Sequence, residues 1–116
     1  MLEINEDEMY KESRFGKGIY FSDSFAKSFM YCGNKKDAFL LLCEVALGNT
    51  MKLYSSSQIM DLHTLDSNGY NSVHGVGSQI PSFEMDHKNG YKIPLGKPKK
   101  NSHVAELEYN EFKSFW

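Results

Sequence analysis

Arginine is nearly missing from this chain: of 13 Lys+Arg residues, only Arg14 is an arginine. Capture of several phosphates by planar guanidinium forks is therefore excluded, because lysine offers only a point charge. Basic excess is missing too. The formal net charge is −2, which argues against a dedicated DNA binder. Cysteine is scarce, with two in the chain, Cys32 and Cys43, in no Cys-x-x-Cys unit. That excludes a disulfide framework and leads us to expect buried thiols in a reducing compartment. No long apolar run is present. The longest, 38–43, is broken by Glu44 and falls far short of the roughly 20 residues a membrane helix needs. The acidic start, Met1 to Glu8, lacks the apolar stretch of a secretory signal. An intracellular protein, nuclear or cytoplasmic, with no membrane partner is the expectation.

What is present is a globular composition, 41% apolar and 14% aromatic. At 116 residues there is room for one domain, which buries roughly two thirds of its unfolded surface. Residues 1–13 are polar and acidic and read as a tail or partial helix. Gly18 to Phe21 is rich in strand formers. Ser22, Asp23 and Ser24 then offer helix caps. Phe25, Ala26, Phe29 and Met30 recur at helical spacing, and Gly33 is a natural stop, so the spacing predicts a helix over 23–32. Its other face carries Ser24, Ser28 and Tyr31. Phe39 to Leu47 reads as a buried central strand, and Met51 to Tyr54 as a short one. Residues 55–90 read as a long loop-rich region of the kind that often carries function. Tyr91 to Pro94 reads as an edge strand, 96–103 as a basic loop and 104–112 as a final strand.

The final strand carries a chemical signal. Period-two alternation puts Ala105, Leu107, Tyr109 and Glu111 on one face and Glu106, Glu108 and Asn110 on a solvated one. A carboxylate on an apolar face needs a partner or a raised pKa. Glu111 is thus either a salt bridge at a strand end or a catalytic carboxylate in a pocket. Tyr20 is either core filler or one wall of an aromatic slot with Ser24, Ser28 and Tyr31, suited to a flat polar ring. His63, His74, His87 and His103 have no metal-ligand spacing, and no metal is expected. Gly75-x-Gly77 lacks the third glycine of a dinucleotide fingerprint and reads as a turn. Lys97, Lys99 and Lys100 read as a solvated loop. Direct nucleic-acid binding through them is disfavoured by the negative net charge.

Arg14-Phe15-Gly16-Lys17-Gly18-Ile19-Tyr20-Phe21-Ser22-Asp23, continuing to Lys27-Ser28-Phe29-Met30-Tyr31-Cys32, closely resembles the catalytic domain of poly(ADP-ribose) polymerases. The resemblance continues through Leu41-Leu42-Cys43-Glu44-Val45-Ala46-Leu47-Gly48-Asn49. It resumes at Ser72-Val73-His74-Gly75-Val76-Gly77 and at Ile93-Pro94-Leu95-Gly96. It ends on Glu108-Tyr109-Asn110-Glu111-Phe112. The blocks follow family order, and together they are highly specific.

The resemblance implies an α+β ADP-ribosyltransferase fold of mixed, mainly antiparallel sheets with short helices. It implies transfer of ADP-ribose from NAD to a protein acceptor or a growing ADP-ribose chain, with release of nicotinamide. It implies roles residue by residue. Tyr20 and Tyr31 would stack on the nicotinamide side of NAD, and Ser28 would hold the carboxamide. Glu111 would bind the ribose hydroxyl and position the acceptor, with Lys27 lining the pocket beside it. Phe21 and Ser22 fall in the same donor-site block. Glu111 and Tyr20 are the expected catalytic residues.

The resemblance also implies an incomplete domain. Residues 1–13 show no likeness to the family, and 14–116 read as its C-terminal portion. The family's His-Gly pair, which precedes the Arg14-Phe15 block, has no counterpart here. His74-Gly75 lies too late in the chain for that role. Weak or absent activity of the isolated fragment is the expectation. The alternative is a non-catalytic module, a pseudoenzyme used for interaction.

Overall fold

The computed structural model describes residues 14–33, 36–55, 62–102 and 106–115. Residues 1–13 and 103–105, with the readings placed on them, lie outside that set. In chain order the elements are β1 (Ile19–Phe21), α1 (Phe25–Met30), β2 (Thr50–Leu53), α2 (Leu62–Ser67), β3 (Ser72–Gly75) and β4 (Gly77–Ile80). There follow β5 (Phe83–Asp86), β6 (Lys92–Leu95), β7 (Lys99–Lys100), β8 (Leu107–Tyr109) and β9 (Glu111–Ser114). The result is mixed sheets with few short helices, as the expected α+β class requires.

A four-stranded sheet runs β1-β9-β3-β2, a three-stranded one β7-β4-β8, and β5 pairs with β6. In the first sheet β2 and β3 are parallel, while β9 is antiparallel to both β1 and β3. Tyr20 stands opposite Lys113, which stands opposite Val73. Phe21 stands opposite Phe112, and Phe112 opposite His74. Because side chains alternate, Tyr20, Lys113 and Val73 share one face, and Phe21, Phe112 and His74 share the other.

The first face holds the core: Phe15, Leu53, Leu65, Val73 and Leu107, with Tyr20, Met51, Tyr70 and Phe115 packed against it. Lys113 is fully buried there. Its Nζ donates to the Phe15 carbonyl and lies 4.2 Å from the centre of the Phe115 ring, so the charge is met by a dipole and a π face.

Several expectations are corrected. Residues 39–47 form no strand. Phe39, Leu41 and Leu42 are exposed, at 91%, 89% and 97%. An apolar run becomes a buried strand only when neighbours pair with it and cover it, and among the described residues none does. The thiols are likewise not buried: Cys43 is exposed and Cys32 half-buried, and neither is in a disulfide.

The predicted helix is shorter, Phe25–Met30, and its apolar residues face outward. The 55–90 region is no long loop. It contributes α2, β3, β4 and β5, strands of four residues each that are too short to show a period. The basic loop contains β7, where Lys100 pairs with Gln79 and Lys99 with Ile80.

The expected final strand is two strands. It leaves the three-stranded sheet after Tyr109 and enters the four-stranded one at Glu111. Gly75-x-Gly77 is no turn but a matching switch between the same two sheets. A Cβ on Gly75 would sit 2.6 Å from the Phe15 ring, and one on Gly77 would sit 2.2 Å from the Tyr109 carbonyl carbon. Close approach, rather than a special dihedral angle, requires these two glycines.

Candidate functional site

Glu111 opens β9 and is 5% exposed. It stands opposite Gly75, where the Phe15 ring takes the space a side chain would need. Lys27, delivered by α1, places Nζ 2.6 Å from Glu111 Oε1. Arg14 Nε approaches the same oxygen at 3.8 Å. The carboxylate is therefore paired, as a buried charge must be. Burial pulls the Lys27 ammonium down, but hydrogen bonding and charge attraction from Glu111 and Tyr31 outweigh it and hold its pKa above the usual lysine value. Lys27 Nζ also lies 5.2 Å from the centre of the Tyr31 ring. One lysine thus links the carboxylate to an exposed aromatic face.

Tyr20 lies across β9 on the same side of the sheet as Glu111. Its hydroxyl accepts the Phe15 N–H at 3.0 Å and donates to the Gly16 carbonyl at 2.7 Å. Burial, together with the negative charge of Glu111, pushes its pKa up to about 12, although the Phe15 N–H opposes this. It is a neutral phenol at physiological pH.

The other expected site residues are distributed. Lys27 and Ser28 are half-buried on the inner side of α1, while Tyr31, just past its end, is exposed. Phe21 is on the opposite face of the sheet. The Ser22 hydroxyl donates to the Asn110 carbonyl at 2.9 Å and accepts the Ser24 N–H at 3.2 Å, so it ties the α1 entry to β9.

Alternation puts Asn110 on a solvated face, but the structure buries it. It is 6% exposed and sits where the chain passes from one sheet to the other. Its Oδ1 accepts the Gly77 N–H at 2.9 Å, and its Nδ2 donates to Asp23 Oδ2 at 2.7 Å. It fixes both switch points at once and so sets where Glu111 begins. Alternation could not find it, because alternation assumes an unbroken strand. Arg14 and Asp23 belong to the recognised block; local pattern offers Asp23 only as a helix cap and gives Arg14 no role, whereas Asp23 bonds Asn110 and Arg14 approaches Glu111.

Comparison with known proteins places the chain in a family. The family model for the poly(ADP-ribose) polymerase catalytic domain matches residues 2–115. Poly [ADP-ribose] polymerase 1 of Caenorhabditis elegans is 45% identical over 107 residues, covering 84% of this chain and 11% of that protein. Poly [ADP-ribose] polymerase 2 of Arabidopsis thaliana is 42% identical over 105 residues, covering 84% of this chain and 16% of its own length. Poly [ADP-ribose] polymerase 1 of Xenopus laevis is 40% identical over 106 residues, with 84% and 10% covered. The chain belongs to the poly(ADP-ribose) polymerase family by its catalytic domain. It spans 11% of the length of the first of these relatives.

Proposed function

We propose that this chain is the C-terminal portion of a catalytic domain with the ADP-ribosyltransferase fold. It transfers ADP-ribose from NAD to a protein acceptor or an ADP-ribose chain and releases nicotinamide. The observation that carries this is the buried Glu111 carboxylate held by Lys27 at 2.6 Å beside Tyr20.

Cleaving the glycosidic bond sends its electron pair to nicotinamide and builds positive charge on the ribose. A carboxylate held in place stabilises that charge and polarises the attacking acceptor group. Glu111 supplies this group. Lys27 holds it through the ion pair, and Tyr31 offers a face for a flat ring. Ser28, next to Lys27 on α1, would bond the carboxamide, with Phe21 and Ser22 carrying the backbone between β1 and α1. No metal takes part in this reading. The acceptor and NAD are the partners, and a nuclear or cytoplasmic setting suits both. Among the described residues no helix is long and apolar enough to cross a membrane.

Intact-mass measurement after incubation with NAD tests the proposal. A slow mass gain matching ADP-ribose, abolished in Glu111→Gln, is expected. A gain that survives Glu111→Gln contradicts it.

One observation favours the second reading, a non-catalytic interaction module: the exposed Phe39, Leu41 and Leu42. Under that reading NAD leaves the mass unchanged even at high enzyme concentration.

A further inference from the structure

The face of the four-stranded sheet opposite Glu111 carries a separate polar cleft. His74 projects there from β3, with Lys52 and Phe112 as its register neighbours on either side. Its ring stacks on Phe112 at 4.4 Å between centroids, which fixes the imidazole plane. The cleft has a volume of about 560 Å³ and is lined by Asp23, Lys52, His74, Phe83, Lys99 and Asn110, among others. Two buried atoms on this lining have no hydrogen-bond partner, Asp23 Oδ1 and His74 Nε2.

Each of these two atoms can take one further hydrogen bond, which a polar ligand in the cleft would supply. Both are held in position. The other Asp23 oxygen is fixed by Asn110 at 2.7 Å, and the His74 ring by Phe112. A carboxylate oxygen accepts, and a neutral imidazole nitrogen either donates or accepts, so the pair matches hydroxyl groups. Lys52 and Lys99 are exposed at the mouth, where a cation suits an anion in partial contact with water. Glu84, also on the lining, is countered by Lys92 at 3.7 Å. Phe83 and Tyr54, 58% and 52% exposed, supply apolar faces of the kind that pack on a sugar ring.

We propose that this cleft binds a phosphorylated sugar. Its hydroxyls meet Asp23 Oδ1 and His74 Nε2, and its phosphate points toward Lys52 and Lys99. The inference does not depend on the chemistry assigned to Glu111, since the two sites occupy opposite faces of one sheet.

The test is an amide-resolved NMR titration of the 116-residue chain with ribose 5-phosphate, and in parallel with ribose and with inorganic phosphate. Saturable shifts at His74, Gly77 and Asn110 are expected, with ribose 5-phosphate binding about tenfold more tightly than either component. Asp23→Asn is expected to weaken binding about tenfold, and Lys99→Gln, at an exposed position that leaves the fold alone, a fewfold. Glu111→Gln is expected to leave the affinity unchanged. Inorganic phosphate binding as tightly as the sugar phosphate overturns the proposal, because only the lysines would then be at work. So does an affinity unmoved by Lys99→Gln in a folded protein, or lost in Glu111→Gln. An absence of shifts overturns it as well.

Discussion

The Lys27 ammonium lies 2.6 Å from the Glu111 carboxylate, and the two side chains are only 12% and 6% exposed. A short helix and the first residue of a central strand are thereby joined through one ion pair. Removing one partner of such a pair leaves the other charged and buried. Lys27→Met is expected to destabilise the chain by about 3 kcal/mol, measured by urea unfolding. Glu111→Gln, which keeps an acceptor for Lys27, is expected to be milder. Equal losses in the two variants would show that charge is irrelevant to the contact.

Tyr20 makes its own alkaline prediction. The phenol titrates near 12 in the folded chain against 10.0 unperturbed. The unfolded phenol therefore ionises first, and stability falls as pH rises from 10 toward 12. An absorbance titration should find one tyrosine ionising late, and Tyr20→Phe should remove it. The same variant loses both hydrogen bonds to the Phe15–Gly16 turn and is expected to lose about 1–3 kcal/mol.

The two groups on the opposite face act with opposite signs. Burial holds His74 below its unperturbed 6.5, while the neighbouring Asn110 amide and the charge of Asp23 pull the other way. The unfolded imidazole takes up its proton first, so this contribution is complete above 6.5 and is lost as pH falls below it. Burial raises Asp23 above 3.8, against the Asn110 hydrogen bond. The folded carboxyl holds its proton longer, so stability falls as pH rises through the window above 3.8. Unfolding curves from pH 4 to 7 should therefore diverge between His74→Gln and Asp23→Asn, the first flattening the acid loss and the second steepening it. Parallel curves would remove both assignments.

Gly77 admits no side chain. The Cβ of Gly77→Ala would meet the Tyr109–Asn110 backbone at 2.2–2.6 Å. Backbone cannot rotate out of the way, so we expect a loss of about 4 kcal/mol or more, seen as an unfolded circular dichroism spectrum at 25 °C. Gly90→Ala is the control for a glycine of open surroundings, where only the positive φ of 86° opposes the change and a cost of about 1 kcal/mol is expected.

Parts of this arrangement are legible in the sequence, for reasons particular to each. Alternation from Leu107 to Glu111 places the carboxylate inward, and Glu111 is buried. That reading survives the break at Asn110, although Leu107 and Glu111 turn out to lie in different sheets. The α+β character comes from the family resemblance, and the mixed sheets with few short helices agree with it. The apolar run 39–47 misleads, because hydrophobicity reports a need for cover and not whether cover exists. Helix α1 misleads in the same way: Phe25, Phe29 and Met30 form a good apolar stripe that faces solvent. Asn110 is invisible to any periodicity. Its importance comes from three bonds to Ser22, Asp23 and Gly77, none of them near it in sequence.

That asparagine has a consequence for how the protein tolerates change. Strands β4 and β8 carry none of the residues proposed for NAD chemistry, yet β4 begins and β8 ends at the joint where Glu111 starts. A substitution that shifts their pairing moves the joint, and the carboxylate must move with it. Sequence drift in a sheet remote from NAD is therefore expected to register as misalignment of the reacting group before it registers as unfolding.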